Sequence, residues 1–440
     1  MRSKNQDIAG LILFIFLFLV IVSVVVLFSV NNFSFGSSSA ILQRNVLEGA
    51  SKVKKLYYIE SNNLEPKSIE YINLHGFIST LKRYPQMEIN VIEGVGSDYR
   101  RLEEIVNNAY AEGARYVFLS GFEMNNALGN IFRRFSDVKF FVSSIEVSDS
   151  NVVSYTDKTY VSKYMAGFIS GIFLGKNKNS EEELRYMMYD SKGSGHDISK
   201  DFQQGNIGYI ANSCSTYEKR NINAFALGLE RAFAEKKLYV LWLNQDNTEE
   251  QNFSDITRFL KKYNIKVLDG TNSPCKWCRY AVDNNLYYFD LMVKGAENKN
   301  GTILGKYFYD PSIIFSTLVE SIAADSRGNS NNYFFGYSDN VIGFDYTKSL
   351  ARELSEYDSS LYALISKKVS DLSSGREYVF KGKIYNNKGL LMLPEGFVFT
   401  DEELLHEMNW LNENVVETNT CLSPRLNKHF VIRSIMFNNP

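Results

Sequence analysis

The most reactive spacing in the chain is Cys275-Lys276-Trp277-Cys278. A CxxC at a helix start lowers the pKa of a thiolate and supports thiol–disulfide exchange. A redox domain carries its pair after an early strand, however, and this one stands late in the chain. A disulfide is the first expectation, with free thiols and a redox-active pair as alternatives. Zinc is not expected, because there is no second CxxC and His75, His196, His406 and His429 are scattered. The chain has no GxSxG, no P-loop and no HExxH, so neither an enzyme nor a cofactor is expected. What remains is the chemistry of recognition: an aromatic ring for stacking and short polar side chains for orienting a ligand. Phe122 and Glu123, Asn244 and Asp246, Asn272 and Ser273, and Tyr309 are the candidates.

Each candidate also has a plainer reading. Phe122 either stacks on a flat ring or packs on the helix that follows. Glu123 either accepts hydrogen bonds from a ligand or suits the first turn of that helix. Asn244 and Asp246 are ligand contacts or turn residues. Asn272 and Ser273, before Pro274, are ligand contacts or a helix N-cap. Tyr309 lines a rim or fills a core.

The elements that position these residues alternate between strand and helix. Strands are expected at 56–59, 88–92, 116–119 and 139–142, with helices at 67–84, 98–112 and 125–135 between them. Leu102, Ile105, Val106 and Ala109 have the spacing of an amphipathic helix. After a helix at 163–174 and a polar insertion at 176–204, the alternation restarts. Its strands are expected at 206–210, 238–242, 266–269 and 287–289, with helices at 220–234 and 248–263. Such alternation predicts parallel sheets covered on both faces. Two successive units predict two lobes, the first from 54–150 plus about 302–332, the second from 151–301 plus about 333–420. Ligands in such folds bind beyond the carboxyl ends of the strands, so a cleft between the lobes is the expected site.

The chain has 440 residues, 45% of them hydrophobic, and a net charge of −2. It is too long for one ordinary core and lacks the basic excess of a nucleic-acid partner. Arg2 and Lys4 precede an uncharged apolar stretch from Ile8 to Val30. That exceeds the roughly 7–15 residues of a cleavable signal and suits a transmembrane anchor of about 20. Basic residues before the span place a short tail (1–7) in the cytoplasm and the bulk outside, joined by a tether at 31–53. Cleavage after Ala40 is the alternative. Four cysteines (Cys214, Cys275, Cys278, Cys421) would find an oxidising compartment there.

An ordered series of strings runs from about Lys54 to Val416. Ser120-Gly121-Phe122-Glu123 is followed by Asn151-Val152-Val153-Ser154-Tyr155 and by Lys163-Tyr164-Met165-Ala166-Gly167-Phe168-Ile169-Ser170-Gly171. Gly205 to Ile210 then precedes Arg220-Asn221-Ile222-Asn223-Ala224-Phe225-Ala226-Leu227-Gly228. Trp242-Leu243-Asn244, Thr271-Asn272-Ser273-Pro274, and Thr400 to Leu405 with Met408 and Trp410 complete the series. In this order the chain resembles the basic membrane protein family of ABC-transporter substrate-binding proteins, of the purine-nucleoside-receptor type. The resemblance implies an α/β fold of the type I periplasmic-binding-protein class, with two Rossmann-like lobes joined by crossing strands. It implies a small-molecule ligand, a purine nucleoside in the family, and ABC permease and ATPase partners. The loop Glu60 to Pro66 lacks the family's Asp and Trp, Gln245-Asp246-Asn247 replaces a second aromatic, and Tyr307 to Pro311 replaces a tryptophan-rich stretch. At the first two places a purine would lose stacking and ribose partners. A membrane-anchored sensor or scaffold with a degenerate binding lobe is the second reading.

Overall fold

The computed structural model describes residues 53–66, 68–122, 126–143, 149–174, 205–244, 247–271, 278–284, 286–292, 303–324, 332–346 and 359–421. The expected anchor (8–30) and the insertion (176–204) lie outside them. Among the described residues no helix is long and apolar enough to cross a membrane.

The first sheet has the order β11-β5-β4-β3-β1-β2, all parallel where paired. Its strands are β1 (Lys54–Glu60), β2 (Met87–Ile92), β3 (Tyr116–Ser120), β4 (Lys139–Ser143), β5 (Val152–Asp157) and β11 (Tyr333–Phe335). The apolar runs supply side chains to both faces because a strand repeats every two residues. Leu56, Tyr58, Phe118 and Phe141 pack on one face with α1 (Ile69–Leu81) and α8 (Pro311–Ala323). Their neighbours Tyr57, Ile59, Val117, Leu119, Phe140 and Val142 pack on the other with α2 (Tyr99–Ala111) and α3 (Asn126–Arg134). Ser68 caps α1 by accepting from Tyr71 N.

The second sheet has the order β12-β10-β9-β8-β6-β7-β15. It comprises β6 (Asn206–Ala211), β7 (Leu238–Trp242), β8 (Ile265–Gly270), β9 (Tyr287–Met292), β10 (Ile303–Tyr309), β12 (Ile342–Tyr346) and β15 (Val415–Glu417). Only β12 is antiparallel to its neighbour. Helices α4 (Thr159–Leu174) and α5 (Thr216–Ala232) cover one face, and α6 (Glu249–Lys262) with α7 (Cys278–Asp283) the other. A Cβ on Gly167 would overlap the Phe225 carbonyl, and one on Gly228 the Tyr164 carbonyl. The two helix backbones therefore touch, which only glycine at both positions permits.

The C-terminal part adds α9 (Ser359–Ser373), a hairpin of β13 (Ile384–Tyr385) and β14 (Leu391–Leu393), and α10 (Asp401–His406). It is fastened to α5 by polar side chains. Arg220 donates to Leu404 O, Asn223 donates to Trp410 O and accepts from Asn412 N, and Asn414 donates to Ala226 O. Thr400 and Glu403 form a capping box on α10. Cys214 and Cys421 form a disulfide across a sequence separation of 207. The sequence singles out the CxxC instead, and Cys275 lies outside the described residues.

The chain passes between the sheets at 157–159, 309–311 and 335–342. These crossings correct the expected lobe boundaries. Strand β5 belongs to the first sheet and β10 to the second, while α8, which follows β10, packs back on the first lobe. An amphipathic strand is equally at home in either sheet, so local pattern does not reveal which one it joins. At each crossing an aspartate holds the backbone. Asp157 accepts from Thr159 N, Asp310 from Ser312 N, and Asp339 from Gly336 N. Lys158 N also donates to Phe335 O and Asp310 N to Val341 O, which lashes the crossings together.

Candidate functional site

At the carboxyl end of the first sheet, β1 delivers Glu60, whose side chain is 0% exposed. Its Oε1 accepts from Asn62 N at 3.3 Å, while Oε2 has no hydrogen-bond partner among the described residues. Burial pushes this carboxyl up to about 8, helped by the charge of Glu70 and opposed by the Ser120 hydroxyl. Beside it Ser61 Oγ donates to Gly121 O at 2.7 Å, and Gly121 N donates to Ser143 Oγ at 3.3 Å. Gly121 has φ +76°, and a Cβ there would meet Ser61 Oγ and Glu60 Oε1. Three strand ends thus converge on a polar rim around a buried carboxyl whose pKa burial raises and whose Oε2 is unbonded among the described residues.

At the corresponding end of the second sheet, Asn212 N donates to Thr271 Oγ1 at 2.9 Å. Below lies a buried ionic cluster. Lys163 on α4 reaches both carboxylate oxygens of Asp269 at 3.1 Å and Gly270 O at 2.6 Å. Tyr307 donates to Asp269 at 2.5 Å. Tyr209 donates to Glu218 at 2.7 Å. Burial pushes Lys163 down and Asp269 up, and their attraction opposes both shifts. Glu218 is pushed up to about 6 by burial, against the Tyr209 hydrogen bond and the Lys163 charge. This cluster ties α4 to the end of β8 and fixes that lobe's strand ends.

Between the two ends stand aromatic hydroxyls at the crossings. Tyr309 donates to Asn73 Oδ1 at 2.7 Å, joining the end of β10 to α1 of the other lobe. Tyr217, on the first turn of α5, donates to Asp157 Oδ1 at 3.2 Å, joining the second lobe to the end of β5. Tyr309 therefore bridges the two lobes, with its ring packed against the core of the first.

The other expected contacts fare differently. Phe122 follows β3 but is 5% exposed and packs in the first lobe's core with α3, so its ring follows the packing alternative. Nothing in its strand-end position distinguished the two orientations. Asn244 follows the end of β7 and is half-buried, its carbonyl accepting from Asn247 N. Glu123, Asp246, Asn272 and Ser273 lie outside the described residues. Glu60, Ser61, Asp157 and Tyr217 were missed as site residues. A carboxylate closing the apolar run Leu56-Tyr57-Tyr58-Ile59 was the available signal for Glu60.

No family model matches the chain, and no curated protein does. Among solved structures it is similar to an ABC transporter system solute-binding protein from Aeropyrum pernix K1. That likeness has 11% identity, 81% of this chain and 98% of the other covered, and a TM-score of 0.57. It is also similar to a transcriptional activator of the comK gene from Bacillus halodurans, with 13% identity, 74% and 99% coverage, and a TM-score of 0.53. At these identities the shared property is the fold.

Proposed function

We propose that this chain is the solute-binding component of an ABC-type importer, held outside the cytoplasm by its N-terminal apolar segment. The observation that carries the reading is two largely parallel sheets linked by crossings, with the polar rim of Glu60 on one side. Closure of the lobes about those crossings would bring the Asn212 and Thr271 end against that rim. The disulfide between Cys214 and Cys421 supports an oxidising, extracytoplasmic location. The permease and ATPase would be its partners.

The ligand proposed is a small, hydroxyl- or amine-bearing ring compound of the nucleoside class, as the resemblance to the basic membrane protein family implies. The Glu60 carboxyl, which donates when protonated and accepts when ionised, is the partner for one of its polar groups, and Asn244 and Tyr309 supply further polar contacts. A hydrogen bond to a buried carboxyl is worth roughly 1 kcal/mol, and more if the carboxyl ionises. Native mass spectrometry of the purified protein and calorimetry with guanosine, inosine and adenosine test this. Nucleoside binding weakened by Glu60→Gln and Asn244→Ala is expected. Tight binding that ignores both substitutions would displace the site, and a different co-purified molecule would change the ligand class.

A further inference from the structure

A cavity of about 370 Å³ lies against the crossings, beside the ends of β5 and β11. Its walls come from Lys158, Tyr160 and Val161 at the first crossing, Gly336 to Ser338 at the third, the end of α9 with the turn after it, and the paired segments around Phe380 and Phe399. No strand-end residue of the candidate site lines it. Its size falls in the range of about 300–1,000 Å³ that small-molecule sites occupy.

The chemistry of the lining is specific. Five rings face it: Tyr160, Tyr337, Tyr378, Phe380 and Phe399. Tyr160 and Phe380 have centroids 5.5 Å apart and tilted planes. Tyr378 is 52% exposed, so its ring is available at the mouth. The charged side chains in the lining already have opposite partners. Lys158 donates to both oxygens of Asp401 at 2.9 Å, and Glu377 accepts from Lys368 at 2.8 Å and from Tyr164 at 3.1 Å. A charged ligand would have to break one of these pairs or sit desolvated beside it, whereas an uncharged ring meets aromatic and aliphatic side chains and hydroxyls without disturbing those pairs.

We propose that this cavity is a second small-molecule site, distinct from the interlobe cleft, that takes an uncharged aromatic or heteroaromatic ring. It does not depend on the nucleoside reading. Because two crossings form its wall, an occupant touches the segments about which the lobes are joined.

Equilibrium dialysis of the full chain against indole tests it, with tryptamine and indole-3-acetate as the cationic and anionic counterparts. Indole should bind saturably. Tyr378→Ala, which removes the ring at the mouth, and Ser374→Trp, which fills the cavity from its exposed rim, should each weaken that binding roughly tenfold. Both positions are exposed, and unchanged melting of each variant confirms folding. Both charged counterparts should bind roughly tenfold more weakly than indole. Absence of saturable binding, or binding that neither variant alters, would overturn the site. A charged counterpart binding as tightly as indole would overturn the ligand class.

Discussion

At Glu60 burial acts directly against ionisation. Its folded pKa of about 8 lies above its ordinary 4.5, so the folded state holds the proton more tightly than the unfolded chain. Stability from this group is therefore full below pH 4.5 and is lost as pH rises toward 8. The slope within that window is about 1.4 kcal/mol per pH unit. Chemical denaturation at intervals across the window should show this fall in the wild type and a flatter profile in Glu60→Gln; parallel profiles would sink the assignment. Lys163 and Asp269 present the other buried-charge case, being 0% exposed and mutually paired. Removing only one charge strands the other, at a cost of roughly 3–5 kcal/mol. Lys163→Met should cost that much in urea denaturation, and Lys163→Met with Asp269→Leu distinctly less. Equal losses in the single and double variants would mean that the pair does not act as a unit.

At the level of elements, the strings that carried the family resemblance turn out to be contact surfaces. Ala166-Gly167 on α4 and Leu227-Gly228 on α5 form a crossing in which each glycine lies against the other helix's backbone. Arg220 and Asn223, one turn apart, hold the segment containing Leu404, Trp410 and Asn412. Gly228→Ala should force the helices apart and destabilise by about 1–3 kcal/mol, the usual range for overpacking. Thermal unfolding measures this, and an unchanged melting temperature would show that the interface yields. The aspartates at the three crossings act locally, each satisfying a backbone N–H that the change of direction leaves open.

At the scale of the molecule, the disulfide closes the chain between β6 and the last described residues. Cys214 follows β6, and Cys421 follows β15, which pairs with β7 at the sheet edge. The bond secures that edge, and the segment fastened to α5 precedes it. Loss of such a bond costs roughly 2–5 kcal/mol. Cys214→Ser, or reductant added to the wild type, should lower the denaturation midpoint by a matching amount, and reductant should leave Cys214→Ser unchanged. A wild type indifferent to reductant would remove the bond as a stabilising element.

The sequence by itself determined the class of fold. Runs such as Leu56-Tyr57-Tyr58-Ile59, apolar without alternation, require a strand covered on both faces, and helical spacing between them requires a parallel sheet. Only the tertiary structure decided which sheet β5 and β10 join, because pairing depends on the path of the chain and not on local pattern. It decided that Phe122 turns into the core, that Cys214 meets Cys421 across 207 positions, and that Glu60 Oε2 is unbonded among the described residues. Each of these is a property of neighbours distant in sequence, and spacing along a chain carries no record of them.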